Sequence, residues 1–225
     1  MKILKKSVAF TLAEILMVMG IIGVVAAITI PNLNNNVADQ ERVAKVQTMV
    51  TDIVQAYKIA LKKYEDEWSA SSYGPRILEF MHTKKTCNVA SDSSCFKKSA
   101  IKVYNDNSKT VSFSSGTAAT FDDGSAIYFY PEQVRGAIYE FNSLPDSVAL
   151  VYIDIDGPTK GFNTLGVDIF SFVLSEDGLL SVPINTFSSG DSAYRNIDYT
   201  YWILKYGNAD FLHCSGLSES KTTCN

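Results

Sequence analysis

The chain has 225 residues, of which 46% are apolar, so it can form the core of one domain with an extension or of two small domains. Its net charge of −4 argues against a general nucleic-acid-binding protein, because such a protein needs an excess of basic side chains to neutralise phosphates. The sequence has only two histidines and carries no nucleophile or phosphate-loop motif, which also argues against an enzyme.

A long apolar segment with one carboxylate at its start follows a basic stretch at the amino terminus. Three lysines among the first six residues precede the sequence Ala9-Phe10-Thr11-Leu12-Ala13-Glu14. Residues 15–38 then contain no charged side chain, which is long enough for one helix across a hydrocarbon core about 30 Å thick. The lysines predict that the amino terminus stays on the cytoplasmic side. Glu14 is unusual in such a segment, because a carboxylate at the bilayer centre costs about 2.5–3.5 kcal/mol.

This sequence resembles the processing signal of type IV pilins and type II secretion pseudopilins, over about 25 residues. The resemblance implies that prepilin peptidase cleaves between Ala9 and Phe10 and that Phe10 is then N-methylated. It also implies that Glu14 pairs with the amino terminus of a neighbouring subunit and sets the register between subunits. Most members of the family have glycine before the cleavage site, where this chain has Ala9. Pro31 stands where pilins carry a proline and predicts a kink in the helix.

Two other interpretations of the amino-terminal end remain open. In an ordinary secretory signal peptide, residues 15–25 form the apolar region and the small residues at 25–27 form the cleavage site. In a plain signal anchor, the same apolar segment remains uncleaved in the membrane. Neither interpretation accounts for Glu14 or for its spacing from Phe10.

One long helix with two different halves is predicted over residues 10–68. The first half is apolar on every face, so it must contact lipid or other copies of the chain. The second half is amphipathic, because its apolar residues recur at steps of three and four. These residues are Val43, Val46, Val50, Ile53, Val54, Tyr57, Leu61, Tyr64 and Trp68.

The rest of the chain predicts a short helix at about 76–82, four or five short strands and a last helix at about 198–205. The predicted fold class is α+β and pilin-like, with the long helix packed on a small, mostly antiparallel sheet. The predicted divisions are a leader at 1–9, a transmembrane and assembly helix at 10–33, the amphipathic half at 34–68 and a globular domain at 69–225.

The four cysteines form two local pairs in polar surroundings. An exported chain with an even number of cysteines favours disulfides, and four cysteines allow three pairings. The prediction adopted is local pairing, Cys87 with Cys95 and Cys214 with Cys224. Zinc is disfavoured, since the spacing of these cysteines from the two histidines is poor.

Three aspartates, Asp154, Asp156 and Asp168, bracket a loop rich in glycine and asparagine. Hard cations take six to eight oxygen ligands, so these residues are candidate calcium ligands. Some secretion pseudopilins bind calcium in their globular domain, so the resemblance also favours a metal here. The alternative is a turn in which Asp and Gly supply backbone geometry. No other cofactor is predicted.

The function predicted from these features is that of a pilin or pseudopilin, a structural subunit and not an enzyme. The precursor is predicted to be a single-pass protein of the inner membrane, and the assembled fibre to lie in the periplasm or on the cell surface. Its predicted partners are other pilin subunits, prepilin peptidase, the inner-membrane assembly platform and the lipid bilayer. The alternative is a membrane-anchored binding or adhesion protein that does not polymerise.

Overall fold

The computed structural model describes residues 11–64, 72–98, 100–104, 106–130, 149–175, 178–180, 195–218 and 220–224. Within its helices and strands it leaves aside the side chains of 26, 28–36, 106–109, 149, 175, 178–180 and 195–198. The predicted leader at 1–9 and the junction between Ala9 and Phe10 lie outside the described residues. The chain divides into two compact units, residues 1–41 and residues 42–225.

Helix α1, Leu12–Tyr64, is a single helix of 53 residues, as the sequence predicted for this part of the chain. The helix continues through Pro31, so the proline does not end it, and the kink at Pro31 stays a prediction. The second half buries most of the predicted stripe against the sheet, with Val54, Leu61 and Tyr64 half-buried, and Trp68 lies outside the described residues. Its buried residues are Val43, Val46, Val50, Ile53, Ala56, Tyr57 and Ala60.

The predicted membrane-spanning half of this helix is contradicted. Among the described residues, no helix is long and apolar enough to cross a membrane. This finding corrects both the transmembrane helix predicted at 10–33 and the predicted single-pass localisation in the inner membrane.

Helix α2, Tyr73–Leu78, begins three residues before the predicted short helix. The strands then follow in chain order. They are β1 (Lys85–Asn88), β2 (Ile101–Val103), β3 (Asp106–Val111), β4 (Thr117–Thr120), β5 (Ala126–Phe129), β6 (Ala149–Asp154), β7 (Thr164–Leu165), β8 (Ile169–Ser175) and β9 (Gly178–Leu180). Helix α3, Arg195–Tyr206, and a 3-10 turn at Asp210–Leu212 complete the described elements.

The predicted small antiparallel sheet is also wrong. The described strands form one sheet of nine, in the order β1-β4-β5-β6-β8-β7-β2-β3, with β9 paired to β8. The sheet is mixed, because β7 runs parallel to both β2 and β8. The prediction from sequence gave too few strands. Strand β1 is polar and β7 has only two residues, so neither shows an apolar strand pattern.

Apolar residues pack on both faces of this sheet. Ile127 and Ile153 join the cluster that contains the second half of α1 and α3. Their neighbours Tyr128 and Tyr152 face the opposite cluster, which also holds Phe96 and the Cys87–Cys95 disulfide. The alternation of neighbouring side chains follows the two-residue period of a strand.

Candidate functional site

Thr11 and Glu14 form a reciprocal hydrogen-bonded pair at the start of α1. The backbone N–H of Thr11 donates to Glu14 Oε2 at 2.8 Å, and the Thr11 hydroxyl donates to the same oxygen at 2.9 Å. In return, the backbone N–H of Glu14 donates to Thr11 Oγ1 at 3.2 Å. This arrangement is a capping box, which satisfies free N–H groups at the first turn of a helix. The Thr-x-x-Glu pattern of Thr11 and Glu14 is the sequence signal of this cap.

The carboxylate of Glu14 is held in its ionised form by this cap. The hydrogen bond from the Thr11 backbone, followed by that from the Thr11 hydroxyl, lowers the pKa of Glu14. A negative charge is also favourable at a helix amino terminus. Among the described residues, Glu14 has no cationic partner, and its second oxygen, Oε1, accepts no hydrogen bond.

The first half of α1 exposes its apolar side chains. Leu12 is 79% exposed and Ile22 61% exposed, and even Ile15 is 41% exposed. The other large apolar residues that are exposed here are Leu16, Met17, Val18, Met19, Ile21, Val24 and Val25. A contiguous apolar surface of this extent is rare on a protein that acts alone and usually marks an interaction site.

Gly20 and Gly23 lie within this exposed surface. A Cβ atom at either position would contact nothing within 4 Å among the described residues. The surrounding structure therefore gives no reason for glycine at these positions. Small residues on a helix surface allow another helix to approach closely.

The three candidate calcium ligands come together at one loop, between β6 and β8. Asp154 ends β6 and is fully buried, and Asp168 directly precedes β8. The Ile155 N–H donates to the Asp168 carbonyl at 3.0 Å, which closes the loop at its base. The Asp154 Oδ1 atom accepts a hydrogen bond from the N–H of Gly157 at 2.8 Å.

The Asp168 carboxylate accepts hydrogen bonds from three backbone N–H groups of this loop. Its Oδ2 atom accepts hydrogen bonds from the N–H groups of Phe162 and Asn163, each at 2.7 Å. Its Oδ1 atom accepts from the N–H of Thr164 at 2.5 Å. The sequence placed Asp168 among the metal ligands, but these three bonds occupy both of its oxygens with the backbone.

While the carboxylates are ionised, three buried oxygens in this loop have no hydrogen-bond partner. They are Asp154 Oδ2, Asp156 Oδ1 and Asn163 Oδ1. Asn163 was not among the ligands predicted from sequence, because an asparagine in a glycine-rich loop is equally typical of a turn. Its backbone φ of +46° and its buried amide set it apart from an ordinary surface asparagine.

Burial of the carboxylates dominates the electrostatics of the loop. Burial raises the pKa of Asp154 to about 8, while the Gly157 N–H opposes the shift. A hydrogen bond between the Asp154 and Asp156 side chains and the charges of Asp156 and Asp168 add to the increase, so these two side chains are partners when Asp154 is protonated. Burial also raises the pKa of Asp168, against the lowering effect of its three backbone hydrogen bonds. Among the described residues, no three His, Cys, Asp or Glu side chains are grouped closely enough to hold a metal ion by themselves. A cation in this loop would therefore need other oxygen ligands as well.

The predicted disulfides are confirmed. Cys87 pairs with Cys95 and Cys214 with Cys224, at Cα separations of 5.9 and 5.6 Å. Each bond closes a short surface loop of the unit formed by residues 42–225. The four sulfurs are thereby committed to structural bonds.

No protein-family model, curated protein or solved structure matches this chain. Its family is therefore not established by comparison. The specific resemblance to pilins covers about 25 amino-terminal residues.

Proposed function

We propose that this chain is a pilin or pseudopilin, a structural subunit of a type IV pilus or of a type II secretion-type fibre. In this proposal prepilin peptidase cleaves before Phe10, and the subunit assembles through the first half of α1. The observation that carries the proposal is the exposed apolar surface of residues 12–25, whose first residue, Leu12, lies within the Thr11–Glu14 cap.

The driving force for assembly is burial of this surface against other copies of the chain. Transfer of one large apolar side chain from water to an apolar contact contributes about 1.5–3 kcal/mol. Ten such side chains are exposed between Leu12 and Val25. Full burial of this set would contribute about 15–30 kcal/mol, against a cost of association of about 4–15 kcal/mol. Glycines at positions 20 and 23 give neighbouring helices room to approach.

Glu14 supplies the register in this assembly. Cleavage before Phe10 creates a free amino group four residues before Glu14. An amine of a neighbouring subunit and the Glu14 carboxylate offset each other's cost of burial when they pair. The Oε1 atom of Glu14 can accept a hydrogen bond from this amine while Oε2 keeps its hydrogen bonds from Thr11. A head-to-tail interface of this kind repeats without closing and yields a filament.

The test compares three variants for processing and for yield in the sheared fibre fraction of cells. Glu14→Gln keeps the capping box, because glutamine also serves at this position, but it removes the charge. Thr11→Ala removes the cap and keeps the charge. Asp52→Asn removes an exposed charge from the second half of the same helix and is the matched control.

Glu14→Gln should be processed normally and reduce fibre yield by about tenfold or more, the equivalent of about 1.4 kcal/mol per subunit contact. Asp52→Asn should assemble as the wild type does. If Glu14→Gln assembles normally while Thr11→Ala does not, Glu14 acts only as a helix cap. Absence of the wild-type protein from fibres would reject the proposed function and favour a protein that acts without polymerising.

A further inference from the structure

We infer that copies of this chain also contact each other through the unit formed by residues 42–225, where a loop of one copy docks into a surface groove of the next copy. The loop comprises residues 157–163 and exposes Phe162 (the Phe162 loop). The groove lies beside the second half of α1 (the docking groove). Its apolar lining residues include Met49, Ile59, Phe80, Met81 and Phe121. This inference rests on the proposed fibre function, to which it adds a contact besides the one between the first halves of α1.

Two adjoining cavities form the docking groove. Their volumes are about 180 and 310 Å³, and both are lined by Met81 and Phe121. One side of the groove is α1, and the other side is formed by residues 80–82 and by the turn between β4 and β5. An apolar cavity of about 150 Å³ accepts benzene, so the docking groove has room for one phenyl ring.

Phe162 and Ile59 are the exposed large apolar side chains among the described residues of the unit 42–225. Phe162 is 80% exposed, so it does not fill the groove of its own chain. Ile59 is 52% exposed and lies in the wall of the docking groove. A contact between copies that places Phe162 in the groove removes both side chains from water. Phenylalanine is one of the residues enriched at protein–protein interfaces.

The Phe162 loop is held in place by hydrogen bonds. The N–H groups of Phe162 and Asn163 each donate to Asp168 Oδ2 at 2.7 Å. The Asn163 side-chain amide donates to the Lys160 carbonyl at 2.8 Å, and the Lys160 N–H donates to the Gly157 carbonyl at 3.0 Å. The loop therefore has little backbone freedom to lose on docking, and such preorganisation lowers the entropic cost of a contact.

The charges beside the loop and the groove have opposite signs. Lys160 is exposed and precedes Phe162 in the loop, and Asp52 is exposed and lines both cavities of the docking groove. Among the described residues, neither Lys160 nor Asp52 forms an ion pair. Complementary charges at an interface fix orientation and speed encounter more than they add affinity. The two side chains are therefore suited to orient the docked loop, while Phe162 supplies the apolar contact.

The loop and the groove lie at different heights along α1. The chain just after the Phe162 loop is attached at Arg42, whose Nε donates to the Val167 carbonyl at 2.7 Å. The docking groove extends along α1 from Thr48 to Ile59. At a helical rise of about 1.5 Å per residue, this stretch begins about 9 Å and ends about 26 Å beyond Arg42. Two different surfaces that are offset along one helix form a heterologous contact, which repeats from copy to copy without closing.

Photo-cross-linking of the full chain tests this contact. A photoreactive benzoylphenylalanine replaces Phe162, and the protein is kept in mild detergent, which covers the first half of α1 and leaves residues 42–225 free to associate. Heavy-isotope-labelled and unlabelled copies are mixed and irradiated, and the joined peptides are identified by mass spectrometry. We expect peptides of mixed isotope content that join position 162 to the segment around Met49 or around Met81.

Cross-links that stay within one chain, or that join position 162 to another surface, would overturn the inference. The amino-terminal peptide of the protein in the fibre fraction tests the proposed function separately. A chain that occurs in fibres but gives no cross-link between position 162 and the docking groove would reject this contact alone. Absence of the chain from fibres would reject the fibre function instead.

Variants of the photoreactive protein test the chemistry of the contact. Ile59→Ser, an exposed change in the groove wall, should lower the yield of the intermolecular cross-link by about tenfold. Lys160→Glu and Asp52→Lys should each lower the yield about twofold to fivefold, and the double variant should restore it. Asp52→Asn keeps an oxygen that accepts from Lys160 and should stay near the wild-type yield, because an exposed ion pair contributes little.

Lys58→Glu is the matched control, because Lys58 is an exposed lysine of α1 that does not line the docking groove. It should give the wild-type yield of cross-link. An undiminished yield in Ile59→Ser would overturn the inference, since it would place Phe162 on a different surface of the neighbouring copy. A double charge variant that stays as low as the single variants would remove the assigned pairing of Lys160 with Asp52 and overturn the proposed orientation.

Discussion

The two halves of α1 share one helical backbone and differ in where their apolar side chains find partners. In the second half, apolar residues recur every three or four positions, and Val46, Ile53 and Ala60 are completely buried on the sheet. In the first half, ten large apolar side chains between Leu12 and Val25 are exposed, and residues 15–25 carry no charge on any face. A stripe can be covered by the chain's own sheet, whereas a helix that is apolar all round needs partners on all sides. In the proposed assembly, one helix therefore carries an intramolecular interface in its second half and an intermolecular interface in its first half.

The largest expected effect on stability is at Ile53. Replacing it by alanine leaves a cavity between α1 and the sheet and should lower the free energy of unfolding by about 2–5 kcal/mol. Urea unfolding monitored by tryptophan fluorescence measures this change. A loss below 0.5 kcal/mol would mean that the second half of α1 is not packed as described.

A smaller loss is expected at Arg42, where the packed half of α1 begins. Its Nε atom donates to the Val167 carbonyl at 2.7 Å, and Arg42→Gln removes this charged donor. The expected cost is about 1–2 kcal/mol in the same urea assay. Lys58→Gln, an exposed position on the same half, is the matched control and should change the stability by less than 0.5 kcal/mol. Equal losses in both variants would show that the Arg42 contact has no specific effect.

The smallest effect on stability, and a large effect on assembly, is expected at Ile22. Ile22→Ala removes an exposed side chain, so the free energy of unfolding should stay within about 0.5 kcal/mol of the wild type. Fibre yield should fall, because the removed surface contacts neighbouring subunits in the proposed assembly. If Ile22→Ala lowers the free energy of unfolding as much as Ile53→Ala does, the first half of α1 is packed within the chain and the two halves do not differ as described.

The extent and the buried face of this helix were largely predictable from the sequence, whereas the number of strands and their pairing were not. The steps of three and four residues in the second half of α1 identified its buried face. The two-residue strand β7 and the polar strand β1 have no local pattern, and their partners are distant in sequence. Their pairing depends on tertiary contacts that a period cannot reveal.

Prediction of the candidate sites was limited in the same way, because tertiary contacts decide what each side chain does. Sequence selected Glu14 and the three aspartates by residue type and spacing. It could not distinguish Asp168, whose oxygens accept three backbone N–H groups, from Asp154, whose carboxyl group pairs with that of Asp156. This difference between the two aspartates depends on the folded loop, which brings the N–H groups of residues 162–164 to Asp168.

The most direct test of the proposed function is the mass of the amino-terminal peptide of this protein in the sheared fibre fraction. The proposal predicts a peptide that begins at Phe10 and carries an N-methyl group. A mature protein that begins at Ile28 would identify an ordinary signal peptide and contradict assembly through residues 12–25. An uncleaved chain that is missing from the fibre fraction would contradict the proposal equally.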